Sequence, residues 1–111
     1  MGLKYREYLN GKKVYGCSTC RSHLSTSDKV MSRDFQGQYG QAYLFCGVVN
    51  IEEGEEQQER NMTTGRHRIA SISCIRCGTM LGWKYIKAYD SQQKYKEGKY
   101  ILEKSLLRLV D

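Results

Sequence analysis

Four strand-length runs of aromatic and β-branched residues stand out along the chain. Polar stretches separate them, and with no proline present the turns fall to glycine, asparagine, aspartate and serine. The runs are residues 42–51 (AYLFCGVVNI), 67–74 (HRIASISC), 80–89 (MLGWKYIKAY) and 100–110 (YILEKSLLRLV), and each predicts a β-strand. In the second, Ile69, Ser71 and Ser73 share one face while Arg68, Ala70, Ile72 and Cys74 share the other, a partial alternation. In the third, Trp83 and Tyr85 fall on one face and Gly82, Lys84 and Ile86 on the other. The fourth also carries a helical stripe, Ile101, Leu102, Ser105, Leu106 and Leu109. A strand is preferred there because Lys96-Glu97-Gly98-Lys99 reads as the turn before it. Two stretches read as loops: residues 36–41 (QGQYGQ), small and polar, and residues 52–60 (EEGEEQQER), charged and without an apolar face. A mainly β fold follows.

Composition sharpens this reading. The chain has 111 residues, single-domain length, and Leu, Ile, Val and Phe make up only about a fifth of it, a lean supply for a core. Nine tyrosines compensate in part, and five cysteines offer a staple. No apolar stretch is long enough to span a membrane, and the first residues lack the uninterrupted apolar segment of a secretory signal. A soluble, non-secreted protein is expected, in which paired cysteines hold metal rather than lasting disulfides. Met1-Gly2 invites N-myristoylation, but Arg6 stands where that signal wants Ser or Thr.

The cysteines supply the clearest chemistry. Cys17-Ser18-Thr19-Cys20 and Cys74-Ile75-Arg76-Cys77 are two C-x-x-C pairs. Two intervening residues let both sulfurs of a pair turn inward from one tight loop and take adjacent corners of a tetrahedron, so two such loops complete one Zn²⁺ site. Gly78 suits the positive φ that often follows such a knuckle, a help that Arg21 does not offer after the first pair. A four-sulfur site has no open coordination position, which makes it structural, and its binding free energy is folding free energy. Cys46, among large apolar neighbours, reads as a buried inert thiol, and His23 and His67 as surface or strand-end residues rather than ligands.

Together CSTCRSHL (17–24), FQGQYGQAYLFCGVVNI (35–51), TTGRHRIASISCIRC (63–77) and LGWKYIKAYDSQQKYKEGKYILE (81–103) resemble the Yippee-like family, from about Tyr15 to Glu103. The resemblance implies a β-tent of two antiparallel sheets pinned at the apex by one structural zinc on Cys17, Cys20, Cys74 and Cys77. It implies the same architecture as the thalidomide-binding domain of cereblon, B-type methionine sulfoxide reductases and the RNA-sensing domains of antiviral helicases. Residues 1–14 form an N-terminal segment and 15–111 the single zinc-binding domain. The chain departs from the family in a one-residue-longer gap between the cysteine pairs, in Cys46 where Asn is usual, and in having one tryptophan where the cereblon-type cage has three.

The resemblance further implies a non-enzymatic protein of nucleus and cytoplasm linked to growth control. As for some members, it implies association with subunits of a CTLH/GID-type ubiquitin ligase. Trp83, Tyr85, Tyr89, Phe45 and Tyr43 supply candidate aromatic anchors, most of them expected in the core. The family's LGW tryptophan lines a concave groove between the sheets, so the expected partner-binding residues are Trp83, His67 and Tyr85, receiving an extended segment with an acidic or polar flank. A sulfoxide reductase would need a reactive Cys near the C-terminal strands, and no Cys follows Cys77. Nucleic-acid binding through the basic C-terminal half is the alternative. The net charge is +6, made of +4 over residues 1–35, −4 over 36–65 and +6 over 66–111. A Zn²⁺ on four thiolates lowers the total by about 2, which weakens that alternative.

Overall fold

The computed structural model describes Leu9 and residues 13–110. The Met1-Gly2 and Arg6 positions, and most of the expected N-terminal segment, lie outside them; Val14, at the end of that segment, opens the first strand. Among the described residues, nine strands form two antiparallel sheets. The smaller is ordered β2(His23–Thr26)-β1(Val14–Cys17)-β9(Leu107–Val110). The larger runs β3(Val30–Gly37)-β4(Gly40–Phe45)-β8(Tyr100–Glu103)-β7(Met80–Ala88)-β6(Gly65–Cys74)-β5(Ile51–Met62). Its neighbouring strands pair antiparallel throughout. No helix among the described residues is long and apolar enough to cross a membrane.

Both faces of the large sheet are apolar, which explains the imperfect alternation of its strands. One face packs on the small sheet around Cys17, Leu24, Tyr43, Phe45, Ile72 and Leu102. The other gathers Ala42, Leu44, Ile69, Trp83, Tyr85 and Ile101, without any residue of the small sheet. Along β4 the neighbours Ala42, Tyr43, Leu44 and Phe45 alternate strictly between these two clusters. On β7 the alternation is broken by two bulges, where Leu81 and Ile86 are skipped in the pairing with β6. A bulge inserts one unpaired residue and reverses the parity of side chains beyond it. Leu81 therefore joins the inter-sheet core while Trp83, two residues on, faces the opposite way.

Strands β6 and β7 lie where the patterning places them, and four expectations are corrected. The run 42–51 does not remain extended: β4, second from one edge of the large sheet, ends at Phe45, and the chain passes through Asn50 (φ 59°) before β5 begins on the opposite edge. Residues 52–60 are a strand, not a loop. β5 is an edge strand whose ladder to β6, with a bulge between Glu53 and Gln57, supplies the hydrogen bonds that its own side chains would not predict. Residues 100–110 are extended but split between the sheets by a 3-10 turn at Lys104–Leu106. The turn before them is present: the Lys99 N–H donates to the Lys96 carbonyl at 2.9 Å. Glu97 (φ −58°, ψ 132°) and Gly98 (φ 78°) fill its type II corners. Residues 36–41 narrow to a two-residue connection, Gln38-Tyr39, between β3 and β4. Strands β1, β2 and β3, which carry no clear alternation, complete the fold.

Candidate metal centre and groove

β1 and β6, in different sheets, each end on the first cysteine of a C-x-x-C pair, so the site ties the sheets together. The two loops repeat one hydrogen-bond pattern. The Arg21 N–H donates to the Cys17 carbonyl at 2.8 Å and the Gly78 N–H to the Cys74 carbonyl at 2.9 Å. The Cys17 N–H donates to Ser22 O at 2.9 Å and the Cys74 N–H to Thr79 O at 2.8 Å. Gly78 has the expected positive φ, 77°, and Arg21 adopts the same conformation at 65° despite its Cβ. Loop geometry here outweighs a local cost of about 1 kcal/mol.

The four sulfurs lie within 4.8 Å of one another, with Cys17–Cys77 at 3.6 Å and Cys20–Cys74 at 3.4 Å. Tetrahedral Zn–S bonds of about 2.3 Å place sulfurs roughly 3.8 Å apart, so the donor set and its spacing fit one Zn²⁺. Ser22 Oγ at 3.2 Å from Cys20 Sγ and Thr79 Oγ1 at 3.1 Å from Cys77 Sγ supply matching outer hydrogen bonds. Burial opposes the Cys20 thiolate, yet the Ser22 side chain and backbone with the neighbouring thiols bring its pKa down to about 6. Burial pushes Cys74 up to about 12. A Zn²⁺ at the centre would allow all four to be thiolates together. Cys46 is exposed, contrary to expectation, because it lies just past the end of β4, where the chain is leaving the sheet.

On the face of the large sheet turned from the small one, an open groove of about 720 Å³ runs between Asp34–Gln38 of the β3–β4 side and Arg60–Thr64 of the β5–β6 hairpin. Its floor holds Trp83 and Tyr85, and the 3-10 turn Ser91–Lys96 closes one side through Gln93, Tyr95 and Lys96. Its lining comes from this sheet and its connections alone, so the groove lies on one sheet rather than between two as expected. Trp83 is 8% exposed and stands edge-on to Tyr85, with 6.2 Å between ring centres. A smaller recess continues past Trp83 to Tyr39, Met80 and Glu103. The exposed rings of Tyr39 and Tyr95 flank the whole.

Of the expected anchors, Phe45 and Tyr43 belong to the inter-sheet core, and Tyr89 donates to Glu59 Oε2 at 2.7 Å on the surface. His67 stands near the start of β6, a strand-end position, but is fully buried, and it lies behind Tyr85 at 5.1 Å between ring centres rather than on the groove wall. Its Nδ1–H donates to the Gly65 carbonyl at 2.9 Å, and burial first of all depresses its pKa. Lys96, Gln93 and Phe35 are groove residues that the patterning does not single out; a lysine amid QKYKEGK carries no local sign of burial.

Two antiparallel sheets clamped at one end by paired cysteine knuckles define a zinc-knuckle β protein. More particularly, the chain belongs to the Yippee family. A family profile described as "Yippee zinc-binding/DNA-binding /Mis18, centromere assembly" matches residues 13–111. Protein yippee-like 3 of Homo sapiens is 53% identical over 100 residues, covering 89% of this chain and 83% of that one. A yippee-like protein of Arabidopsis thaliana is 47% identical over 95 residues, 86% and 89% of the two chains. The crystal structure of the Mis18 "Yippee-like" domain superposes with a TM-score of 0.68 over 89% of this chain and 95% of that one, at 16% identity, a likeness of fold.

Proposed function

We propose that the protein is a non-enzymatic, zinc-stabilised protein-interaction module that receives an extended partner segment in the groove beside Trp83. It serves in nucleus and cytoplasm as an accessory of a CTLH/GID-type ubiquitin ligase. The carrying observation is the groove itself, an open recess on one sheet with Trp83 and Tyr85 in its floor and the exposed Tyr95 in its lining, the residue types that dominate interfaces. A Zn²⁺ held by the four cysteine sulfurs would be coordinatively closed and would offer no position for substrate. The ligase and the compartments rest on family resemblance.

Nucleic-acid binding, which the family description names, is the competing reading. Against it, the acidic strand β5 lies beside the basic strands. Glu59 pairs with Arg66 and Arg68 at 2.8 Å each, and Glu53 with Lys84 at 3.3 Å, so part of the basic half is neutralised within the fold. Affinity purification at physiological salt, scored for ubiquitin-ligase subunits and for RNA, separates the readings. Trp83→Ala removes a core ring at a cost of about 3–5 kcal/mol. Trp83→Phe and Tyr95→Ala are therefore the working variants, with zinc content and melting as controls. Both should lose the protein partner while staying folded. Undiminished capture by both, or recovery of RNA that survives salt, defeats the proposal.

A further inference from the structure

The groove contains a buried cation whose charge the fold does not neutralise. Lys96 is 2% exposed. Its ammonium lies 5.2 Å from the centre of the Phe35 ring and 5.3 Å from that of Tyr85, and donates to Thr64 Oγ1 at 3.0 Å. Phe35, Tyr85 and Thr64 all line the groove, which places the ammonium in its wall. An ammonium has three donors, and here one meets a neutral hydroxyl while the others face aromatic rings. The ion pairs among the described residues leave Lys96 out. Cation–π attraction offsets only part of the cost of taking such a charge out of water. Consistently, burial alone lowers the pKa of Lys96.

Two further residues of the same lining carry an incomplete polar atom. Trp83 Nε1, a donor, and Gln93 Oε1, an acceptor, are buried without hydrogen-bond partners. Buried polar groups in folded proteins are nearly always paired, so unpaired ones gathered on one recess mark where a ligand's atoms complete the set. What they lack is an anion for Lys96, an acceptor for Trp83 and a donor for Gln93. A segment that carries an acidic residue has groups of all three kinds, a side-chain carboxylate, backbone carbonyls and backbone N–H groups. With Arg60 and Lys96 against Asp34, the lining carries a net positive charge, which complements such a segment.

Resting on the interaction-module reading above, we infer that the groove selects an extended partner segment by one Asp or Glu side chain, whose carboxylate pairs with Lys96 while the segment's backbone bonds Trp83 Nε1 and Gln93 Oε1. A side-chain carboxylate is favoured over a chain terminus. Terminal carboxylates are held by clustered backbone N–H groups, and the neighbouring N–H groups of Gln38 and Tyr39, where the groove meets the smaller recess, already donate to the buried Glu103 carboxylate at 2.7 and 3.2 Å.

The test pans a randomised peptide display library on the zinc-loaded full chain and on Lys96→Met. Methionine keeps the unbranched stem of Lys96, so zinc content and melting should hold or the melting point should rise; Lys96→Gln is the second variant. Peptides selected on the parent should share an Asp or Glu at one register position, and those selected on Lys96→Met should not. The best parent binder, synthesised with an amidated C-terminus, should weaken at least about tenfold on Glu→Gln or Asp→Asn exchange, and by less than about twofold when the protein is Lys96→Met. Acid-free selections, equal losses on parent and variant, dependence on a free C-terminus, or no binder to the parent each overturn the assignment. Binders that are indifferent to the acid yet lost in Trp83→Phe overturn only this inference. Partner capture that survives Trp83→Phe and Tyr95→Ala overturns the reading beneath it.

Discussion

His67 shows how one side chain takes its character from its packing. It is a polar ring at the start of β6, fully buried, with one nitrogen spent on Gly65 and Nε2 without a partner. Burial lowers its pKa from 6.5; the Gly65 carbonyl works against this, and the Lys96 charge adds to it. A histidine whose folded pKa is depressed leaves the unfolded chain binding more protons as pH falls through 6.5, so it subtracts stability on the acid side and costs nothing well above it. Urea midpoints of the parent should therefore fall between about pH 7.5 and about pH 6. His67→Asn, which keeps a donor near the Nδ1 position, should show a shallower fall than the parent. Equal slopes would mean that His67 titrates as it does in the unfolded chain.

At the scale of elements, the β7–β8 contact depends on a residue with no side chain. A Cβ on Gly82 would meet the Ile101 carbonyl oxygen at 1.9 Å and its carbon at 2.8 Å, backbone atoms that move only if the strand moves. Gly82 pairs with Leu102 and stands next to Trp83, so parting these strands disturbs both the inter-sheet core and the groove floor. Gly82→Ala should cost about 3 kcal/mol. Chemical denaturation, with near-ultraviolet circular dichroism of Trp83, checks this, and an unchanged midpoint would contradict the close approach. The bulges at Leu81 and Ile86 belong to the same scale: they turn Trp83 away from the inter-sheet core and so create the groove.

For the whole molecule, the decisive feature is that the cysteine knuckles close different sheets. β1 brings Cys17 and Cys20 from the small sheet, and β6 brings Cys74 and Cys77 from the large one. With aliphatic residues scarce, the ion's binding free energy forms part of the folding free energy. Native mass spectrometry should find one Zn²⁺ per chain, and chelation should abolish cooperative melting. Cys74→Ser should behave like chelation, whereas Cys46→Ser, at an exposed thiol, should leave metal and melting unchanged. Cooperative melting of the metal-free chain would show that the two sheets hold without it.

The features legible in the sequence are those that a few neighbouring residues decide. The spacing within each C-x-x-C pair brings two sulfurs inward from one loop, Gly78 and Gly98 mark backbone that favours glycine, and the aromatic and β-branched runs of β6 and β7 have strand character before they meet a partner. Tertiary structure decided the remainder, because the forces concerned act between distant residues. Glu52–Arg60 becomes a strand through its ladder to β6, although its own side chains have no apolar face. The parity of Trp83 depends on bulges that exist only in the pairing with β6. Cys46 is exposed and His67 and Lys96 are buried because of where the chain crosses and covers them, against what their residue types and neighbours suggest. A metal knuckle is a local covalent geometry, whereas a groove and the unpaired charge within it arise from segments brought together by pairing across the whole chain.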